Sequence, residues 1–289
     1  MALNVQVFRT RALTAVLFVL VMLAGLLINS WTFLCLFTLI HFGCWKEYQK
    51  MVAGFYPSYS RISPFHRFAV MFTGWGFMLW TGRGFFGNAV SWIHPVALAM
   101  MTLLPAAILA TELFSFRNFT LKNLGLSLLG LLYISLSWGL MVLLRSLNSE
   151  GLFGDQGWVI PMVVVASIWI NDTMAYLVGS LIGKTPFSKI SPKKTWEGTL
   201  GGAILAIAVV TGAGYYLFGM KDYGSLLAIS SIAAVTGTAG DLLESKLKRM
   251  AGMKDSGTIL PGHGGFLDRF DSLLLATPFV WIYVSVFLH

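Results

Sequence analysis

Charge is scarce in this sequence. Only 11% of the 289 residues are Asp, Glu, Lys or Arg, 56% are hydrophobic, and the mean hydropathy is +0.75. That shortage excludes a soluble globule, whose surface must present polar side chains to water. Cysteine is nearly absent as well. Cys35 and Cys44 stand in one predicted helix, about 13 Å apart along its axis, which excludes a disulfide within that helix; they read as small apolar packing residues. No cysteine-based metal motif, Ser–His–Asp spacing, HExxH or Walker A pattern is present. Internal repeats, low-complexity linkers and long hydrophilic stretches are also missing, which excludes a separate soluble domain.

What is present is a series of apolar runs of about 15 to 25 residues, the length a helix needs to cross a bilayer. They lack the ten-residue alternation of a membrane barrel. The expected fold class is therefore all-α: a polytopic integral membrane protein of about nine transmembrane helices, near 12–28, 31–45, 68–81, 90–110, 124–144, 158–182, 199–219, 225–243 and 266–288. The third run is short and interrupted by glycine, as in a tilted, re-entrant or merged segment. Arg9 and Arg11 followed by "ALTAVLFVLVMLAGLLI" imitate a secretory leader but lack a small-residue cleavage site, so an uncleaved first span is expected.

Orientation follows from the basic residues. With a cytoplasmic N-terminus, 17 of the 20 Lys and Arg fall on the cytoplasmic side, and only Arg83, Arg145 and Lys221 fall opposite. The unusual polar residues concentrate after about position 158. Residues 1–157 are therefore expected to be scaffold, with dimer or lipid contacts, and residues 158–289 to be the catalytic region.

Asp172 stands deep in "WVIPMVVVASIWINDTMAYLVGSLIG", where an ionised carboxylate is costly unless it meets a cation, a partner or water. It reads as a functional acid or as a packing residue hydrogen-bonded by Asn171 or Thr173. Asp241 and Glu244 end the eighth run three residues apart, and Asp268 and Asp271 begin the ninth with the same spacing, so each pair shares a helical face. Four carboxylates joined by a short loop repel one another without a cation. A hard divalent ion such as Mg2+ suits them, since it takes carboxylate oxygens and keeps positions for substrate phosphates. Interfacial pairing with Lys246, Lys248, Arg249 and Arg269 is the alternative.

A second polar loop, "GKTPFSKISPKKTWEGTLGG", carries Lys184, Lys189, Lys193 and Lys194 beside Ser191 and Thr195. These lysines are either anchors at the membrane surface or a phosphate-binding set, and the glycines, hydroxyls and following helix N-terminus favour phosphate. His263 in "PGHGG" reads equally as a general acid, a phosphate donor or a turn residue. Together these parts suggest transfer of a phosphorus group between a nucleotide and a lipid, a reaction that depends on positioning and charge neutralisation.

The stretch "SKLKRMAGMKDSGTILPGHGGFLDRFD", Ser245 to Asp271, resembles the full signature of the phosphatidate cytidylyltransferases, or CDP-diacylglycerol synthases, without departure from it. "NDTMAYLVGSLIGKTPFSKISPKKTWEGTLGG" is similar to that family's other polar region. The resemblance is specific over about residues 158–275 and general elsewhere. It implies the reaction CTP + phosphatidate → CDP-diacylglycerol + pyrophosphate, Mg2+ with a second, monovalent cation such as K+ beside it, and a homodimer in the cytoplasmic (inner) membrane. The expected partners are CTP, phosphatidate, membrane lipids and a second copy of the chain, with no nucleic acid.

On that basis Asp241 and Asp268 are expected to ligate metal, with Asp271, Glu244 and Asp172 as supporting ligands. Lys193, Lys194, Lys248, Arg249 and Lys254 are expected to neutralise phosphate, and Ser191 and Thr195 to donate hydrogen bonds. Lys184, Gly264 and Gly265 are expected to contact substrate, Arg269 to hold the acids or touch phosphate, and His263 to take part in catalysis. The rival classes are a CTP-dependent lipid kinase, which would transfer the γ-phosphate, and a secondary transporter, which would show inverted repeats that are not evident here.

Overall fold

A computed structural model describes residues 5–85, 90–115, 120–147, 157–220, 222–259 and 264–288. The described residues form ten α-helices and no β-sheet: α1 Val5–Leu27, α2 Ser30–Phe55, α3 Pro64–Thr81, α4 Ile93–Ser115, α5 Leu121–Gly130, α6 Leu136–Ser146, α7 Val159–Ile182, α8 Trp196–Phe218, α9 Tyr223–Met250 and α10 Leu267–Phe287. A π-helical turn, Leu131–Ser135, joins α5 to α6. Six described helices are long and apolar enough to cross a membrane: Ile93–Phe114, Leu121–Ser146, Val159–Ile182, Trp196–Tyr216, Tyr223–Met250 and Leu267–Phe287. The chain is thus an all-α, polytopic membrane protein, as its apolar runs predict.

The chain packs as two units, residues 1–142 with 247–270 and residues 143–246 with 271–289. These units are set by packing, whereas the division expected near residue 158 marks where polar residues concentrate.

In the first unit, α2 supplies the centre. Its capping box at Asn29 and Thr32 fixes the helix start, and Phe33, Phe37, Trp45 and Met51 are fully buried along it. Phe37 meets Trp138 at 5.1 Å between ring centroids, and Trp138 meets Phe270 edge-on at 5.7 Å. Several polar groups inside this apolar packing are satisfied in chains. His66 Nδ1 lies 2.9 Å from Glu112 Oε1, its Nε2 lies 2.9 Å from Ser127 Oγ, and Ser127 Oγ lies 3.0 Å from the Tyr59 hydroxyl. At the π turn, Ser135 Oγ accepts the Trp45 indole N–H at 2.9 Å and lies 3.0 Å from His41 Nε2. Such pairing offsets the cost of burying these groups.

In the second unit, α7 and α8 pack closely because small residues face one another. A side chain at Gly198 would fall 2.7 Å from the Ala175 carbonyl, and one at Gly202 would fall 2.6 Å from the Ala175 nitrogen. Small residues at a helix contact let backbones approach, the usual basis of helix pairing in lipid.

Candidate functional site

The loop between α7 and α8 is held to a defined path. Thr195 caps α8, its hydroxyl accepting the Gly198 N–H at 3.1 Å. Phe187 N–H donates to the Lys194 carbonyl at 2.8 Å, Trp196 N–H to Thr185 at 2.9 Å, and Lys194 N–H to Ser191 at 3.1 Å. Glu197, in the first turn of α8, reaches back: its carboxylate accepts the Thr185 hydroxyl at 2.8 Å and the Lys184 and Thr185 N–H groups at about 3.2 Å. The path of the loop is therefore fixed by these backbone bonds together with the Thr195 and Glu197 side chains.

This loop closes over a cavity of about 530 Å³ in the second unit, within the size range of small-ligand sites. Asp172, Ser191, Lys193, Lys194, Thr195 and Asp241 line it. Lys194 Nζ pairs with Asp241 Oδ2, and the Ser245 hydroxyl donates to Asp241 Oδ1 at 3.3 Å. Asp172 is exposed toward the cavity instead of being sealed between helices. Glu244 is fully buried and Asp271 nearly so; the charges of Asp241, Glu244 and Asp172 all reach Asp271. Four of the five expected metal-site acids thus share one electrostatic neighbourhood. Lys184 is exposed and does not line the cavity.

Asn171 and Thr238 are among the cavity residues not expected as site residues from the sequence. Asn171 is buried, its amide N–H donating weakly to Thr238 Oγ1 at 3.4 Å, and its Oδ1 has no hydrogen-bond partner among the described residues. Both Asn171 and Thr238 line the cavity. The sequence signal was the adjacency of Asn171 to Asp172 and the position of Thr238 one turn before Asp241.

The described residues between α9 and α10, 251–259 and 264–266, belong to the first unit and are organised around two carboxylates. Asp268 Oδ1 accepts Lys248 Nζ at 2.6 Å; its Oδ2 accepts the Gly265 N–H at 2.8 Å and the Ser256 N–H at 2.9 Å. The second carboxylate is Glu47 of α2, which accepts the Phe266 N–H at 2.9 Å, the Leu267 N–H at 2.8 Å and the Ser256 hydroxyl at 2.7 Å. Glu47 therefore caps the start of α10, satisfying N–H groups that a helix leaves without internal partners. It explains two glycines of the signature, since a side chain at Gly257 or Gly265 would fall on the Glu47 carboxylate. Gly264 adopts a φ of 85°, which glycine tolerates without strain.

Of the basic residues expected here, Lys248 is engaged by Asp268, and Arg249 Nη1 donates to the Met253 carbonyl at 3.2 Å. Lys254 and Arg269 are exposed. His263 lies outside the described residues. Glu47 was missed, although a signal existed: it follows Cys44 by three and precedes Met51 by four, placing an acid on the buried face of α2.

The fit of a divalent cation can be judged from these groups. Among the described residues, no set of three or more His, Cys, Asp or Glu is arranged to hold a metal. Mg2+ needs only one or two carboxylates when substrate phosphates supply further oxygens, and Asp241 already attracts a cation, the Lys194 ammonium. Asp241 with its neighbouring acids fits such an ion. Asp268, with its oxygens taken by Lys248, Ser256 and Gly265, fits only if those donors release it.

Comparison with known proteins adds independent information. A family model described as the cytidylyltransferase family matches residues 9–287. The chain is 36% identical over 215 residues to a phosphatidate cytidylyltransferase of Bacillus subtilis, covering 74% of this chain and 76% of that protein. It is 33% identical over 192 residues to the phosphatidate cytidylyltransferase of Staphylococcus aureus strain COL, 66% of this chain and 70% of the relative. A chloroplastic phosphatidate cytidylyltransferase of Arabidopsis thaliana is 39% identical over 136 residues, 46% of this chain and 35% of the plant protein.

Proposed function

The chain belongs to the cytidylyltransferase family, and from that premise we propose that it catalyses CTP + phosphatidate → CDP-diacylglycerol + pyrophosphate. The observation that carries the assignment is the cavity that sets Lys193, Lys194, Ser191 and Thr195 against Asp172 and Asp241. Cations and hydroxyls there suit a polyphosphate, and the acids suit the divalent cation that accompanies one.

In this reading a phosphate oxygen of phosphatidate attacks the α-phosphorus of CTP. The bond from that phosphorus to the bridging oxygen breaks, and pyrophosphate leaves with the electron pair. The attacking oxygen is already anionic near neutral pH, so no side chain need remove a proton. Lys193 and Lys194 offset the charge that accumulates on the phosphates, while the Ser191 and Thr195 hydroxyls orient them. Mg2+, held by Asp241 with Asp172, Glu244 and Asp271 around it, would supply further neutralisation of the triphosphate, with K+ as a companion cation. Asp268 serves first to tie Lys248, Ser256 and Gly265 to the start of α10. Arg249, Lys254 and Arg269 form a separate phosphate-neutralising group on and beside the segment between α9 and α10, with Lys184 as an outer contact for anions.

The same proposal includes nine spans, with α1, α2 and α3 crossing in addition to the six apolar helices, a cytoplasmic N-terminus and active face, the inner membrane and a homodimer. The one-sided distribution of Lys and Arg supports this orientation.

The test is an assay with CTP labelled at the α- or γ-phosphate, using purified protein, phosphatidate and Mg2+. Label from the α-position should enter the lipid while γ-label leaves in pyrophosphate. Transfer of γ-label into lipid would replace the proposal with a lipid kinase, and absence of lipid labelling would overturn it.

A further inference from the structure

At the C-terminal end of α2 a second cavity, of about 430 Å³, lies against the start of α3, entirely within the first unit. Three cations line it, Lys46, Lys50 and Arg67, and no Asp or Glu does. Lys46 and Lys50 are one helical turn apart on the same face of α2, a like-charge spacing that is unfavourable unless something anionic relieves it. The nearest acid in sequence, Glu47, is turned the other way and used by Ser256, Phe266 and Leu267. Glu112, behind α3, is used by His66. Neither lysine has an ion-pair partner among the described residues.

The cavity is held in shape by bonds that do not consume its charge. Gln49 Nε2 donates to the Arg67 carbonyl at 3.0 Å, tying α2 to α3. One guanidinium nitrogen of Arg67 donates to the Ser60 carbonyl, which leaves most of its five N–H donors for another acceptor. The rest of the wall is apolar: Met71 is buried behind the cations, and Phe68 is 60% exposed beside them. A cationic floor next to an exposed aromatic wall suits a ligand with an anionic head and a hydrocarbon body.

We propose that this cavity binds the phosphate headgroup of an anionic phospholipid, at a site separate from the cavity assigned to the reaction. Lys46, Lys50 and Arg67 take the phosphate oxygens, and the glycerol and upper acyl chain lie along Phe68 and Met71. The site does not depend on the identity of the reaction, so it is tested by binding and not by turnover.

The experiment uses the full chain purified in a zwitterionic detergent and titrated with phosphatidylglycerol, with bound lipid counted per chain by native mass spectrometry. The variant Lys46→Gln/Lys50→Gln/Arg67→Gln should bind roughly a hundredfold more weakly, since each interfacial cation contributes about a factor of five to attraction of an anionic lipid. Lys194→Ala, in the other cavity, should retain this lipid. Lys50→Glu, at an exposed helix position that does not threaten folding, should by itself weaken binding and remove its salt dependence in part. Equal binding by wild type and the triple variant would reduce these residues to surface anchors and overturn the proposal. Displacement of the lipid by millimolar inorganic phosphate would also overturn it, by showing a site for free anions.

Discussion

Ser256 Oγ lies 2.7 Å from Glu47 Oε2 and 2.9 Å from Asp268 Oδ2, joining a helix near the start of the chain to the loop that carries the family signature. Ser256 is fully buried and Glu47 is 5% exposed, so neither carboxylate contact can be replaced readily by water. Glu47→Ala would strip the acceptor from the Phe266 and Leu267 N–H groups, while the Ser256 hydroxyl keeps Asp268 Oδ2. A melting curve of the purified protein in detergent should show a loss of about 3 kcal/mol, given about 1 to 3 kcal/mol for each buried group left unpaired. Glu47→Gln keeps one carbonyl acceptor and should fall between Ala and wild type. An unchanged melting temperature for Glu47→Ala would remove the capping role.

The glycines at 257 and 265 should behave as partners of that carboxylate. Gly257→Ala or Gly265→Ala pushes a methyl group onto Glu47, so each should destabilise the protein and lower activity together. Glu47→Asp shortens the acid by one methylene. Combined with Gly265→Ala it should recover part of the lost stability, giving a non-additive double-mutant cycle, the mark of residues in direct contact. Strict additivity would mean the glycines are needed for another reason.

The sequence made some of this legible and hid the rest for physical reasons. Long apolar runs have one solution in lipid, so the helices at 159–182, 196–218 and 267–287 stand close to where hydropathy places them. Helical spacing grouped Asp241 with Glu244 and Asp268 with Asp271, since acids three apart share a face, but it gave no reason to bring Asp172 to Asp271. Which acid is spoken for was not legible. Asp268 and Asp271 look equivalent in "FLDRFD", yet the first is bound by Lys248, Ser256 and Gly265 while the second is buried among carboxylates. That difference depends on Ser256 and Lys248 folding back on α10, a tertiary fact. The partner of the signature loop was hidden by distance, since Glu47 stands some two hundred positions upstream.

Asp241 and Asp268 should consequently separate under the same substitution. Asp268→Asn loses the charged acceptor of Lys248 at a site whose side chain is 9% exposed. It should lower the melting temperature as well as the rate, because breaking a buried pair leaves an uncompensated charge. Asp241 is 26% exposed at the cavity edge, and Asp241→Asn should lower kcat at least about a hundredfold while leaving the melting curve close to wild type. Equal thermal effects would show that both acids serve the fold alone.

The Lys194–Asp241 pair gives the most specific expectation for the metal. Under the proposed mechanism a divalent cation would compete with the Lys194 ammonium for the Asp241 carboxylate, and a lysine released from Asp241 would have its charge available to phosphate. Lys194→Ala removes the competitor and the phosphate contact at once, and the two effects have opposite signs. In the absence of substrate, Mn2+ titrated as a probe and followed by electron paramagnetic resonance should bind the variant more tightly than wild type. In turnover, the KM for CTP should rise by roughly tenfold or more, as expected for losing a charge-assisted hydrogen bond of about 1.5 to 3 kcal/mol. Chelation with EDTA should abolish turnover in both proteins, and added Mg2+ should restore it. Weaker Mn2+ binding by Lys194→Ala would mean that the lysine assists the cation site instead of guarding it, and full activity in EDTA would remove the metal from the proposal.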